Sequence, residues 1–157
     1  MSSDFTLKIA GAKNQYSSKL EFLLNNLNLS HKIEFLGLIK GNEKSHLYAN
    51  AYFTFMPSHT ENFGNVIIES LNQGTPCIAS KGTPWSSLID YNAGFWVNND
   101  IKSLTLVIDK IIGLKIDDYQ KMRKNSYSFV NKYFDAFNNI VNWENIYKNL
   151  YFNFYVN

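Results

Sequence analysis

Short apolar runs alternate along this chain with longer segments in which apolar residues recur every three or four positions. The runs have the length of strands, and the longer segments have the period of helices buried on one side. This alternation is typical of βα units, in which parallel strands are covered by helices on both faces. The sequence therefore predicts an α/β fold.

Most predicted strands end at a glycine, a proline or a turn, and they cover residues 5–10, 33–36, 52–56, 77–79 and 95–97. The predicted helices cover residues 16–28, 43–50, 65–73, 101–112, 117–133 and 135–152. Asn42 is predicted to cap the second helix, because its side-chain oxygen accepts a backbone N–H. The tail 151–157 alternates apolar and polar residues only in part, which is compatible with a helix end or with an added strand.

The length of 157 residues and the apolar share of 45% are enough for one sizeable core, which predicts a single domain over 1–157. The apolar runs fall far short of the ~18 residues that span a bilayer. Residues 1–5 lack the basic and apolar stretches of a signal peptide. Cys77 is the only cysteine, so no disulfide can form within the chain, and its place at the start of a predicted apolar strand predicts a buried, inert thiol. A cytoplasmic location is the default.

The charged residues are scattered. Fifteen Lys and Arg against thirteen Asp and Glu leave a net charge of +2 without a basic cluster, so no nucleic acid partner is expected. His31, His46 and His59 are dispersed, and no metal site is expected from them.

The stretch from Pro57 to Pro76 combines a loop, a helix start and two carboxylates. It follows a predicted buried strand, so it lies at the carboxyl end of a parallel sheet, where α/β domains bind ligands. The backbone N–H groups of residues 63–65 and the helix dipole suit a phosphate or a negatively charged sugar nucleotide. Glu61 and Glu69 are suited to accept hydrogen bonds from the vicinal hydroxyls of a sugar ring and a ribose.

Both carboxylates also have a structural interpretation. Glu69 shares the polar face of the predicted helix with Ser70, Asn72 and Gln73, where a carboxylate is ordinarily solvated. Glu61 precedes a helix N-terminus, where a negative charge is favourable without any ligand. Spacing alone leaves both interpretations open.

This stretch resembles the donor-binding signature of the retaining glycosyltransferases of family 4, which have the GT-B fold. The shared pattern is proline-serine, E-x-F-G, a second glutamate after seven intervening residues, and G-T-P before the next strand. The similarity extends to Leu7–Gly11, Ile33–Gly37, Tyr48–Tyr52 and Gly94–Asp100, and so covers nearly the whole chain. It implies one half of a GT-B enzyme: a Rossmann-like, three-layer αβα domain with a parallel sheet of about five strands.

The resemblance also implies a role for each matching residue. Glu61 is the catalytic candidate and contacts hydroxyls of the donor hexose, while Glu69 holds the ribose. The other donor-binding candidates lie in loops that follow predicted strands. They are Asn62, Phe63, Gly64 and Asn65 near the sugar and diphosphate, Gly37, Leu38 and Ile39 near the base, and Gly11 in the turn after the first strand.

The implied activity is hexosyl transfer from a UDP- or GDP-sugar in bacterial polysaccharide, lipopolysaccharide or glycoconjugate synthesis. The family relies on electrostatic stabilisation of the departing diphosphate and needs no obligatory metal, so no cofactor is expected. The acceptor, a glycan or a lipid-linked molecule, would bind through an N-terminal domain. Such an acceptor is compatible with peripheral association at the inner face of the membrane.

Two parts of the family pattern would precede Met1: the N-terminal domain, and a first strand–helix unit whose Arg and Lys grip the diphosphate. We therefore expect this sequence by itself to transfer no sugar, because catalysis requires groups aimed at both reactants. The absent strand is central in a sheet of this type, so strands 5–10 and 52–56 are predicted to pair directly instead. Lys13 and Lys81 are weak substitutes for the absent arginine.

Two questions stay open from the sequence. Trp85 follows Gly82-Thr83-Pro84, where many family members carry an acidic residue, and is either a stacking surface in the cleft or a packing anchor. The chain as a whole is either the donor-binding part of an enzyme or a truncated, inactive α/β interaction module. A receiver or flavodoxin-like protein is disfavoured, because neither an acidic phospho-acceptor cluster nor a Ser/Thr-rich flavin loop follows the first strand.

Overall fold

The computed structural model describes residues 5–155, apart from the side chains of Asn138 and Tyr155. The expectation that residues 1–5 are not part of a signal peptide concerns mainly residues 1–4, which lie outside the described residues. The chain divides into two compact units, residues 1–47 and 48–157. The single domain over 1–157 therefore stays a prediction.

The first unit contains two parallel strands and one long helix. Strand β1 (Leu7–Ala10) pairs with β2 (Ile33–Gly37), and between them lie helix α1 (Gln15–Asn26) and a 3-10 turn (Ser30–Lys32). Asn14 begins α1 with a capping box: its side chain accepts from the N–H groups of Tyr16 and Ser17, and the Ser17 hydroxyl accepts from the N–H of Asn14. The βα unit predicted for this part of the chain is confirmed.

Helix α2 (Gly41–Ala49) includes the division between the units. It begins at Gly41, which has a φ of +56°. The predicted cap at Asn42 is wrong, because this glycine turns the chain into the helix one residue earlier and Asn42 lies inside the first turn.

The second unit is built on a parallel sheet of three short strands, β3 (Thr54–Met56), β4 (Cys77–Ser80) and β5 (Gly94–Val97). The central strand β4 pairs with both neighbours, and all four of its residues are buried. Complete burial of a central strand is expected where helices cover both faces of a parallel sheet. The helices of this unit are α3 (Asn65–Asn72), α4 (Ser87–Asp90), α5 (Ile101–Ile112), α6 (Ile116–Tyr133) and α7 (Ala136–Tyr155).

Alternate residues of β4 enter two separate cores. Cys77 and Ala79 pack with Ile67 and Leu71 of α3 and with the second half of α6. Ile78 packs on the other side with residues of α5 and the first half of α6. The second unit is therefore a three-layer αβα arrangement, and helix α3 lies on one face of its sheet.

The last helix differs from the others. Every described side chain of α7 is exposed, including Trp143 and Phe154. The helix runs to Tyr155, so the tail up to that residue is a helix end and not an added strand.

The α/β class with parallel strands is confirmed, but the described strands form two sheets. No ladder among residues 5–155 joins β1 to β3, so the predicted direct pairing is wrong. The side chains of β1 are mostly exposed, so little apolar burial fixes a further partner for this strand. The third predicted strand also begins two residues later than expected, and the carbonyl of Tyr52 accepts from the Tyr119 hydroxyl at 3.0 Å instead of joining a ladder.

A glycine in β5 allows the tight approach of two strands. A Cβ on Gly94 would lie 1.9 Å from the carbonyl oxygen of Cys77. We predict that Gly94→Ala lowers the free energy of unfolding by roughly 1–3 kcal/mol, as overpacking does. Gly113→Ala is the matched control, because its Cβ would meet only ordinary contacts at 3.6 Å or more. Equal urea midpoints for the two variants would contradict the close approach.

Candidate functional site

The loop of residues 57–64, which we call the motif loop, is held by the loops that follow the other two strands of its sheet. The N–H of Glu61 donates to the carbonyl of Gly82 at 3.0 Å. The side-chain amide of Asn99 donates to the carbonyl of Pro57 at 2.8 Å, and the Ser80 hydroxyl donates to the carbonyl of Ser58. The motif loop thus has one defined path across the carboxyl end of the sheet.

Gly82 allows this path. A Cβ at residue 82 would lie 2.0 Å from the carbonyl oxygen of His59, a backbone atom that cannot move away without displacing the motif loop. The backbone of the G-T-P-W segment therefore packs directly against the backbone of the motif loop at His59. Only glycine, which has no Cβ, leaves room for this contact at residue 82.

Gly64 makes the transition from the motif loop to helix α3. Its φ is +78°, and a Cβ would lie 2.7 Å from the Met56 side chain, so both conformation and space favour glycine. No described side chain caps this helix. The N–H groups of a helix's first turn lack intrahelical partners, and together with the helix dipole they suit an anion.

Trp85 anchors the motif loop. Its side chain is 2% exposed, and its indole N–H donates to the carbonyl of Phe63. Its ring packs between those of Phe63 and Phe134, at centroid distances of 5.8 and 5.6 Å. Of the two alternatives from the sequence, the packing anchor is correct.

The two carboxylates of the motif flank the start of α3. Glu61 is half-buried, and its Oε1 accepts from the N–H of Phe63 at 3.4 Å. Glu69 is half-buried too, and it lies five residues after the N-cap Gly64, which is about 7.5 Å along the helix axis at a rise of ~1.5 Å per residue. The sequence left open that Glu69 is an ordinary solvated carboxylate. The structure does not agree with this, because Oε2 of Glu69 accepts from the hydroxyl of Tyr48 at 3.2 Å.

Ser70 does not belong to the polar face predicted for α3. It is completely buried, and its hydroxyl lies 2.7 Å from Thr54 Oγ1 and 3.1 Å from the carbonyl of Thr75. The helical wheel assigned it by polarity, but a small hydroxyl with two partners is stable inside a core.

Tyr48 was not among the candidates from the sequence. Burial, and then the negative charge of Glu69, raise the pKa of its phenol above the usual value. No spacing in the sequence pairs the two residues, since they are 21 positions apart. The resemblance already included Tyr48 in a matching segment, and that was the signal available.

The remaining candidate positions lie in the first unit. The N–H of Gly11 donates to the carbonyl of Gly37 at 2.8 Å, so the turns after β1 and β2 meet. Gly37 has a φ of +68°, Leu38 is 62% exposed and Ile39 is half-buried. Contacts from these four residues to a ligand stay a proposal.

The candidate cations both have partners. Lys13 forms an ion pair with Glu21 at 3.0 Å, and the Lys81 ammonium lies 5.7 Å from the centre of the Trp96 ring. The ion pair offsets the charge of Lys13, which makes that lysine a poor substitute for an arginine on a diphosphate. Cys77 is buried as expected, and burial raises the pKa of its thiol to about 12.

Comparison of the chain with known protein families and structures identifies the class of protein to which this fold and this motif belong. Residues 1–129 match the family model "Glycosyl transferases group 1". The chain belongs to this family, and its α/β fold corresponds to the Rossmann-like half of the GT-B glycosyltransferases.

Three similar proteins illustrate the match. The O-antigen chain mannosyltransferase RfbU of Salmonella typhimurium is 31% identical over 99 residues, which are 63% of this chain and 28% of that protein. Sucrose-phosphate synthase of Thermosynechococcus elongatus superposes with a TM-score of 0.81 at 25% identity, over 93% of this chain and 38% of that one. Anabaena HepE, solved in complex with UDP, superposes with a TM-score of 0.79 at 22% identity, over 93% and 40%.

The chain spans less than a third of the length of the curated relatives it matches. In the part of the chain that the structure describes, no helix is both long and apolar enough to cross a membrane.

We predict that Trp85→Phe loosens the motif loop, because a smaller aromatic ring replaces the indole and the donor to the Phe63 carbonyl is lost. Hydrogen exchange at the amides of residues 61–64 should accelerate about tenfold, in keeping with ~1.4 kcal/mol of local stability. Trp143→Phe is the control, since it makes the same change of side chain at an exposed position of α7. Exchange that is unchanged in Trp85→Phe would show that the indole does not hold this loop.

Proposed function

We propose that this chain is the donor-binding part of a hexosyltransferase and binds a nucleoside diphosphate sugar, a UDP- or GDP-sugar. The parent reaction is hexosyl transfer in bacterial polysaccharide, lipopolysaccharide or glycoconjugate synthesis. The observation that carries the proposal is the arrangement at the start of α3, a helix N-terminus to which no described side chain gives a cap. One carboxylate, Glu61, lies just before this N-terminus, and a second, Glu69, lies on the same helix.

The N–H groups and the two carboxylates at the start of α3 each suit one part of the donor. The backbone N–H groups of Asn62, Phe63, Gly64 and Asn65, which lead into and begin α3, are proposed to face the diphosphate and sugar. Glu61 is proposed to accept from hexose hydroxyls, next to the breaking glycosidic bond, and Glu69 from the ribose. Charge development on the departing diphosphate is then met by the helix dipole.

The comparisons support the class of ligand and of product. RfbU is named an O-antigen chain mannosyltransferase, and HepE was solved with UDP. Because this chain spans only part of each of them, the activity of the whole protein is a proposal. So are its glycan or lipid-linked acceptor, its cytoplasmic location and any association with the inner face of a membrane.

The ribose contact is tested with Glu69→Ala. We predict that it weakens binding of UDP or GDP, whichever the wild type binds, by about 5- to 150-fold, equivalent to the ~1–3 kcal/mol of hydrogen bonds to a charged group. Isothermal titration calorimetry measures the effect. Glu144→Ala is the matched control, because Glu144 is exposed on α7 in an ion pair with Lys148. Equal affinity of wild type and Glu69→Ala would refute the ribose assignment.

The sugar contact is tested with Glu61→Gln. We predict that the nucleotide sugar, UDP-glucose or GDP-mannose, binds about tenfold more weakly, while the matching nucleoside diphosphate alone binds as to the wild type. The reason is that an amide replaces a charged acceptor only where the hexose lies. Calorimetry with both ligands gives the difference directly. A loss of affinity that is equal for both ligands would place Glu61 elsewhere than at the sugar.

A further inference from the structure

The hydrogen bond between Tyr48 and Glu69 connects two helices at the proposed ribose site. Tyr48 is at the end of α2, Glu69 is in α3, and the phenol oxygen lies 3.2 Å from Oε2 of the carboxylate. Both side chains are half-buried, so the bond is partly protected from water.

Both partners are fixed through one buried threonine. The hydroxyl of Thr75 donates to the carbonyl of Tyr48 at 2.6 Å, and the carbonyl of Thr75 lies 3.1 Å from the hydroxyl of Ser70, the neighbour of Glu69. Thr75 and Ser70 are completely buried. The backbones that carry the phenol and the carboxylate are therefore held relative to each other by bonds inside the core.

The electrostatics fix the direction of the bond. The pKa of Tyr48 is raised by burial and by the charge of Glu69, so the phenol keeps its proton at physiological pH. A protonated phenol donates, and an ionised carboxylate accepts at about four lone-pair positions. The phenol bond occupies one of them and restrains the rotation of the Glu69 side chain.

We propose that Tyr48 is a positioning residue, which orients the Glu69 carboxylate to accept hydrogen bonds from the two vicinal hydroxyls of the donor ribose. The inference rests on the proposed function and adds a specificity to it: the site selects ribose over deoxyribose. A glutamate on the outside of a helix loses side-chain entropy when it binds a diol. A carboxylate that the Tyr48 phenol already orients loses less side-chain entropy when the ribose binds. The preference for ribose therefore depends on the phenol.

The test compares UDP with 2′,3′-dideoxy-UDP on the full chain, or the GDP pair if the wild type binds GDP, by calorimetry. The wild type should prefer the ribonucleotide, and Tyr48→Phe should reduce this preference about fivefold through weaker binding of the ribonucleotide alone. Affinity for the dideoxynucleotide should stay constant, which a merely structural role would not produce. In a Glu69→Ala background, Tyr48→Phe should have no further effect on the preference.

Tyr52→Phe is the matched control. It also removes one phenol hydroxyl, which donates to the carbonyl of Ile111 at 3.1 Å, but leaves Glu69 untouched. Its preference for ribose should equal that of the wild type. If Tyr48→Phe does not fold, Tyr48→4-aminophenylalanine, which keeps a donor, is compared with Tyr48→4-methylphenylalanine, which has none. The first should keep the preference and the second should lose it.

The outcomes separate the two proposals. No binding of UDP or GDP by the wild type would overturn the proposed function. Binding with a ribose preference that Tyr48→Phe leaves unchanged would overturn the positioning role and leave the proposed function standing.

Discussion

The geometry of the site depends on two buried hydroxyls, those of Ser70 and Thr75. Ser70 connects helix α3 to Thr54 in β3, and Thr75 connects the turn after α3 to the backbone of Tyr48. A buried hydroxyl without a partner costs about 1–3 kcal/mol, so these bonds strongly favour one placement of α3 on the sheet. The position of Glu69 follows from that placement.

The motif loop depends on a different constraint, the close approach of backbones. Gly82 lets the loop after β4 pass against His59, and Gly64 takes a positive φ at the entry to α3. Trp85 then closes the apolar side of the loop with an indole hydrogen bond. A loop that is already held in place favours anion binding at a helix start, because no further entropy is lost in ordering it when the ligand binds.

Much of the fold could be predicted from the sequence, because apolar periodicity reports burial directly: helix α5 was placed at its observed ends and α3 and β5 within one residue. The division of the strands into two sheets could not, since periodicity does not encode which strands pair. Within the candidate site, Glu61 and Glu69 were selected through the spacing of a known motif, and their contacts to a donor stay a proposal. The burial of Ser70 and the hydrogen bond between Tyr48 and Glu69 arise from tertiary contacts between residues distant in the sequence, which no local pattern contains.

The central claim is that the start of α3 and its two flanking carboxylates bind the donor. A titration of the ¹⁵N-labelled chain with UDP and with GDP, followed by amide correlation spectra, tests it most directly. We expect saturable shifts for at least one of them, largest at the backbone amides of Phe63, Gly64 and Asn65, with smaller shifts at Glu69 and none along α7. Saturable binding with shifts confined to other parts of the chain, or no shifts with either nucleotide, would contradict it.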